Sequence, residues 1–407
     1  MKDAIRVLHT ADLHIGVQNY GRIDSKKGLH TRLLDFLDTF DSLIGYAIDA
    51  DVDVVLISGD IFKNREPSVT EQREFAIRIK RLSDRGINVY IIVGNHDIQN
   101  ASHKATSVEI HNVLKLPGVY VRRSPKIDIL DTKRGLLQIV ALPYMSPNVI
   151  DAEGSTIEEL SMDMRNKLCD IVDELRERTN DRLPTILMSH YSVTGAVAGS
   201  ERTIMFGREI TLPISCLSKE EFDYVALGHI HKHQVLGENP PIIYSGSMDR
   251  VDFNEEREAK GFVLATVARG QCEYEFIELS TRAFKTIDIE IVHEDPYAQI
   301  EKTIKSIDLE DTIVRLRLKI KSQDLAKLKE ADVYRLLRSR AFYVTGIEKD
   351  IIWDRSHLRH PGITERMDMG EAVEEYIKKR EEYRDVKTDL LDRHNSLLDQ
   401  LRGVDSL

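Results

Sequence analysis

The sequence predicts a mixed α/β protein built on buried, mostly parallel strands. Three observations predict it. In the first hundred residues, near-continuous apolar runs rich in β-branched side chains alternate with stretches of helical periodicity. Past about residue 117, strand-like runs dominate. Each early strand also runs into a short loop of Gly, Asp, Asn and His, and in open α/β sheets ligands bind beyond the carboxyl ends of strands.

Taken in order, Ile5–Thr10 reads as the first strand. Arg32–Asp49 places Leu33, Leu34, Leu37, Phe40, Leu43 and Ile44 at helical spacing. Val52–Ile57 is a second strand, Ser68–Arg85 a second helix and Asn88–Val93 a third strand. Further strands are expected at Leu136–Leu142, Pro184–Ser189, Phe222–Leu227, Ile242–Ser245 and Gly261–Leu279. The last is a hairpin turning at Arg269-Gly270-Gln271. Lys285–Val292 and Thr312–Ile320 then alternate apolar and polar residues around a helical stretch, Tyr297–Ile307, and Phe342–Ile347 adds a strand. This predicts a small α+β domain. Residues 353–370 contain Pro361-Gly362 without an apolar period, which reads as a linker. Two short amphipathic helices follow, Gly370–Tyr383 and Thr388–Arg402, the second with Leu390, Leu391, Leu397, Leu398 and Leu401 on one face. The expected division is therefore 1–283, 284–352, a linker at 353–370, and a helical segment at 371–407.

Composition narrows the function classes. The chain has 407 residues, 42% hydrophobic and 31% charged, as a water-soluble globular protein would. A net charge of −11 argues against binding nucleic acid through bulk charge, but leaves room for a local basic groove or for charge supplied by metal ions. The early residues lack the apolar run of a secretory signal, and no stretch is apolar enough to cross a bilayer. The three cysteines, Cys169, Cys216 and Cys272, are far apart and odd in number, which suits thiols of a reducing compartment, so the cytoplasm is expected. No G-x-x-x-x-G-K-[ST] loop is present, so ATP is not bound through that motif.

The chemistry concentrates at strand ends. The first strand leads to Asp12 and His14, the second to Asp60, the third to Asn95, His96 and Asp97, a later one to His190, and another to His229 and His231. In Gly228-His-Ile-His-Lys-His233 three histidines alternate, and alternate side chains of an extended segment point the same way. Singly, each residue has an ordinary structural role: an Asp caps a helix, an Asn makes a turn, a His sits satisfied in the core. Jointly, three aspartates, one asparagine and five histidines on one sheet edge point to metal-dependent chemistry.

In that order, Asp-x-His, Gly-Asp, Gly-Asn-His-Asp, a lone His and Gly-His-x-His resemble the signature of calcineurin-like metallophosphoesterases. More narrowly, the chain is similar to the Mre-eleven/SbcD family of double-strand-break repair nucleases. The similarity lies in His9-Thr-Ala-Asp-Leu-His-Ile-Gly16 with Tyr20-Gly21, in Gly59-Asp-Ile-Phe62 with Pro67-Ser68, and in Tyr244–Phe253 with Glu255 and Glu256. The resemblance covers about residues 1–283. It implies a four-layer α/β/β/α sandwich carrying a nuclease site, a small α+β capping domain that binds DNA, and a C-terminal helical segment. It also implies two metal ions, one held by Asp12, His14, Asp60 and His231, the other by the bridging Asp60 with Asn95, His190 and His229. His96 is then the group that acts on the substrate, and Asp97 either orients His96 or closes the turn. His233 has no matching role and is expected in solvent or behind the ligands. Many relatives carry a histidine where this chain has Lys63, which is instead suited to a DNA phosphate.

Mixed nitrogen and oxygen ligands disfavour Mg2+ and suit Mn2+, Fe2+ or Zn2+; the resemblance favours two Mn2+. It further implies DNA as substrate, with exonuclease and single-strand endonuclease action. It implies a Rad-fifty/SbcC-type ABC ATPase docked on the C-terminal helices. A homodimer is expected to pair through Glu71–Leu82 and Lys104–Leu116, with Phe75, Ile79, Leu82, Val108, Ile110 and Leu114 as apolar surface. Two other readings stay open: a metallophosphodiesterase of small substrates, and a DNA-end tether whose catalysis is secondary.

Overall fold

In the computed structural model, Ile5–Thr10 forms strand β1 inside a six-stranded sheet, and all of its residues but Arg6 are buried. Burial of aliphatic residues from both faces requires a layer on each side of the strand. The structure describes residues 4–99, 104–145, 157–197, 199, 210–353, 367, 369–379 and 386–404.

The first sheet has the order β14-β13-β1-β2-β3-β4. Strands β2 (Val54–Ser58), β3 (Asn88–Ile92) and β4 (Val119–Arg122) run parallel to β1. The hairpin β13 (Gly261–Ala268) and β14 (Gln271–Glu278) adds to the other side of β1, antiparallel and turning where expected. Helices α1 (Thr31–Asp49) and α2 (Val69–Ser83) cover the outer face, and α3 (Ile110–Leu114) lies beside β4. Helix α2 starts where it does because Ser68 and Glu71 form a reciprocal capping box.

The second sheet has the order β11-β12-β10-β7-β6-β5. Its members are β5 (Lys126–Thr132), β6 (Gly135–Leu142), β7 (Thr185–His190), β10 (Tyr224–Gly228), β11 (Gln234–Glu238) and β12 (Pro241–Tyr244). A short ribbon, β8 (Ser192–Val193) with β9 (Thr211–Leu212), precedes helix α5 (Ile214–Leu217). Val7, Leu56 and Ile92 of the first sheet share an apolar layer with Ile139, Met188 and Ala226 of the second. The order of layers is helix, sheet, sheet, helix, as expected.

The helix that forms one outer layer was not placed by the sequence. Ile157–Glu177 forms a 21-residue helix, α4, within the stretch read as strand-dominated. Met164, Leu168, Val172 and Leu175 are its buried stripe, and they are few enough among charged residues to hide the helical period. The expected dimer surface also changes. Phe75, Ile79, Leu82 and Val108 are buried in the core, whereas Ile110, Val113 and Leu114 are exposed.

Beyond β14 the chain forms a three-stranded sheet of β15 (Phe284–Glu290), β16 (Ile313–Lys321) and β17 (Tyr343–Ile352), in that order. Helix α6 (Pro296–Lys305) was expected; α7 (Glu330–Arg338) was not. Packing divides the chain into two units, one of residues 1–286, 309–315 and 337–346, the other of 287–308, 316–336 and 347–407. In the second, α8 (Met369–Lys379) and α9 (Lys387–Val404) pack against each other. Most of the expected linker, and the side chains of Leu398 and Leu401, lie outside the described residues. Among the described residues no helix is long and apolar enough to cross a membrane.

Candidate metal centre

The carboxyl ends of β1, β2, β3, β7 and β10 meet at one edge, because both sheets direct these parallel strands the same way. Asp12, His14 and His231 offer ligand atoms within 4.8 Å of one another, and so do Asp12, Asp60 and His190. Asp12 belongs to both sets, and Asp60 faces a histidine of each: Oδ2 lies 3.9 Å from His14 Nε2, and Oδ1 lies 3.3 Å from His190 Nε2. Asn95 Oδ1 is 3.1 Å from both His190 Nε2 and His229 Nδ1. All seven residues expected as metal ligands thus gather at this edge.

The backbone is bent to bring them there. Asp12, His14, Asp60 and His229 have φ values of 52°, 41°, 52° and 99°, a region in which side chains cost about 1–3 kcal/mol each. Neighbouring glycines are required by close approach. A Cβ on Gly59 would lie 2.2 Å from His190 Nδ1, and one on Gly94 would lie 2.2 Å from Asp60 Oδ1. The Gly-Asp and Gly-Asn-His-Asp motifs therefore combine a ligand with the space it needs.

Hydrogen bonds decide which nitrogen each imidazole presents. His190 Nδ1 donates to Ser58 O at 2.6 Å, and His231 Nδ1 donates to Glu255 Oε1 at 2.7 Å, so in both it is Nε2 that faces the site and, in the neutral ring, offers a lone pair. His14 Nε2 faces His231 Nε2 at 2.9 Å, while His14 Nδ1 is buried without a hydrogen-bond partner. Two lone-pair nitrogens aimed at one point are what a divalent cation accepts, so the donor set fits the metal ions that the motifs imply.

The electrostatics agree. Burial lifts the Asp12 carboxyl to about 6 against the pull of the nearby imidazoles. For Asp60 burial is outweighed by His190 and His96, which hold its carboxyl well below the usual range. Burial opposes protonation of His190, but Asp60 and Asp12 prevail and push it up to about 9. The edge is thus a place that attracts positive charge.

His96 differs from the ligands. Its Nδ1 donates to Lys63 O at 2.9 Å, its Nε2 is 3.9 Å from Asp60 Oδ2, and its side chain is 25% exposed. It lines, with Lys63, Asn95 and the loop Gly16–Tyr20, an open cavity of about 520 Å3 above Asp60. Asp97, expected either to orient His96 or to close the turn, is buried, and its carboxylate accepts the N–H groups of Gly94, Ile61 and Phe62. A carboxylate that binds three backbone donors braces the loops after β2 and β3. His233 is half-buried. Its ring stacks on Phe276 at 4.1 Å, and its Nδ1 donates to Tyr244 O.

Sequence reasoning assigned no role to Glu255 or Lys260, which lie behind His231. In Phe253-Asn-Glu-Glu-Arg-Glu-Ala-Lys260 they look like members of a solvated charge run; the resemblance marks Glu255 without a role, and burial is what sets the pair apart.

A profile of the Calcineurin-like phosphoesterase family matches residues 5–233. The chain is 29% identical over 273 residues to the SbcD component of the nuclease SbcCD of Bacillus subtilis, covering 66% of this chain and 67% of that protein. It is 24% identical over 315 residues to "DNA double-strand break repair protein Mre11" of Haloferax volcanii, covering 77% and 61%. It is 28% identical over 275 residues to "Uncharacterized metallophosphoesterase YhaO" of Bacillus subtilis, covering 66% and 59%. The matches span about two thirds or less of these relatives' own lengths.

Proposed function

This chain belongs to the calcineurin-like phosphoesterase family, and from that membership we propose that it is a Mn2+-dependent DNA nuclease that processes the ends of double-strand breaks. The observation that carries the proposal is the buried Asp60 carboxylate, with one oxygen toward each of two donor sets, beneath an open cavity into which His96 projects.

Asp12, His14, Asp60 and His231 would hold one ion, and Asp60, Asn95, His190 and His229 the other. Two divalent cations there supply charge to screen a phosphodiester and lower the pKa of water to the neutral range. Asp60 must be a carboxylate, since it serves both sets with anionic oxygens. His96 keeps its Nδ1 on Lys63 O, so Nε2 is the atom that meets the substrate. As the imidazolium, protonated on Nε2 as well as Nδ1, it stabilises charge on the phosphate or hands the Nε2 proton to the leaving 3′ or 5′ oxygen; burial disfavours that form, so the charge of a bound phosphate is needed to sustain it. The Lys63 ammonium borders the same cavity and suits a neighbouring phosphate.

The sequence relatives support an ABC-type ATPase as partner, with α8 and α9 as the dock. Tyr376, Leu390 and Leu397 are exposed there, and exposed apolar groups on a helix pair suit a covering partner. We further assign residues 1–283 to the nuclease, 284–352 to a DNA-binding cap, 353–370 to a linker and 371–407 to the dock. A homodimer through Ile110, Val113 and Leu114 would appear as a doubled mass in light scattering.

The cavity volume also suits a nucleotide-sized ligand, which favours a small-substrate phosphodiesterase as the second reading. One assay separates them. Linear duplex DNA, circular single-stranded DNA and bis-p-nitrophenyl phosphate are each incubated with Mn2+ and with EDTA. Cleavage of both DNAs with Mn2+ and none with EDTA is expected. Turnover of the ester alone would favour the small-substrate reading, and DNA binding without cleavage would favour a tether.

A further inference from the structure

Behind the ligand edge lies a second ionic cluster that the reaction does not use directly. The side chains of Glu255 and Lys260 are both 0% exposed, and Lys260 Nζ is 2.8 Å from Glu255 Oε2. The ammonium also sits 3.0 Å from each of Ser247 Oγ, Glu258 Oε2 and the main-chain carbonyl of His231. Glu255 Oε2 takes the N–H of Val251 at 3.0 Å, while Oε1 takes Nδ1–H of His231 at 2.7 Å. A buried ion pair is seldom better for stability than a well-packed apolar pair. This one grips a single residue twice, by its ring through Glu255 and by its backbone through Lys260.

We infer that Glu255 and Lys260 are positioning residues for His231, and that they make the ion position containing Asp12, His14 and His231 the tighter of the two. Glu255 holds His231 in the tautomer that presents Nε2, and a carboxylate partner makes an imidazole a stronger donor. Lys260 balances the carboxylate and anchors, at the His231 carbonyl, the loop after β10 from which the ring projects. The other position leans on neutral groups: His190 donates to a main-chain carbonyl, Ser58 O, and Asn95 is an uncharged ligand. The inference rests on the two-ion reading above but not on DNA as the substrate.

The test is calorimetric titration of the full chain with Mn2+ alone, for the wild type, Glu255→Gln, Lys260→Met and the double variant. The carboxamide of Gln can still accept Nδ1–H, so it removes charge and little shape. Wild type is expected to show two unequal sites. Glu255→Gln should weaken the tighter site about 10–100-fold and leave the weaker one unchanged. Lys260→Met should act on the same site, and the double variant should lose no more than the larger single loss, because both act through His231. Additive losses, equal losses at both sites, or unchanged isotherms in variants that melt like wild type would each overturn the inference. Should Lys260→Met fail to fold, the double variant, which leaves no lone buried charge, decides alone: weakening confined to the tighter site supports the inference, and any other pattern overturns it. A wild type that binds no Mn2+ removes the two-ion reading and this inference together. The predicted Mn2+ pattern in a chain that does not cleave DNA removes only the nuclease reading.

Discussion

The metal-facing edge buries its most polar residues, whereas the C-terminal helices expose some of their most apolar ones. Asp12, His14 and His190 are fully buried, while Leu390 and Leu397 are 37% and 50% exposed. Both regions break the ordinary rule of burial, in opposite directions. At the edge, buried polar groups are tolerated because backbone donors, glycine space and neighbouring ligands satisfy nearly all of them. In the helices, α8 and α9 shield one another only in part: Ile377 is buried but Tyr376 is not. The difference teaches that the edge spends its burial on groups that converge on one point, and that the helix pair leaves part of its apolar surface uncovered.

The comparison breaks hardest at Asp60. Asp60→Asn removes the carboxylate that turns one oxygen to His14 and the other to His190, so Mn2+-dependent cleavage should fall to background and calorimetry should register loss at both ion positions. Retention of both ions would show that Asp60 does not bridge. Next in size is His96→Ser. It should lower cleavage about 10²–10⁴-fold, the usual reach of a general acid or base, with Mn2+ binding intact. Loss of an ion in this variant would make His96 a ligand.

Gly94→Ala sharpens the edge side of the contrast. The added methyl meets Asp60 Oδ1 at 2.2 Å and Asp60 N at 2.4 Å. Overpacking of this kind costs about 1–3 kcal/mol and should lower the denaturant midpoint and displace Asp60 as well. An unchanged midpoint and full activity would mean that the edge is softer than its geometry suggests. The smallest effect on cleavage is expected at the other region. Leu390→Glu with Leu397→Glu should leave hydrolysis of single-stranded DNA within about twofold while abolishing capture of the ATPase partner in a pull-down, since each buried leucine is worth about 1.5–3 kcal/mol. If the double variant unfolds instead, these leucines belong to the protein's own core.

The legibility of the chain follows the same divide. Strands β1, β2 and β3 were readable because each is a short buried run bounded by a turn, and their loops announce themselves through Gly beside Asp, Asn or His. Helix α4 was not, because its buried stripe of Met164, Leu168, Val172 and Leu175 is thin among charges. Asp97 was readable as part of the motif but not in its partners, which are backbone N–H groups up to 36 residues away.

By itself the sequence determined which side chains reach the edge, since a strand delivers its next residues to the sheet rim whatever lies around it. It also determined that ions rather than a nucleotide loop do the work, through ligand type and the missing phosphate-binding motif. Only the tertiary structure decided which nitrogen each histidine presents, that Asp97 turns to the backbone, and that a buried Glu255–Lys260 pair stands behind His231. The physical reason is separation along the chain. His190 is oriented by Ser58, 132 residues away, and His231 by Glu255, 24 residues away. Such contacts exist only once two sheets have packed face to face, and no local period in the chain encodes them.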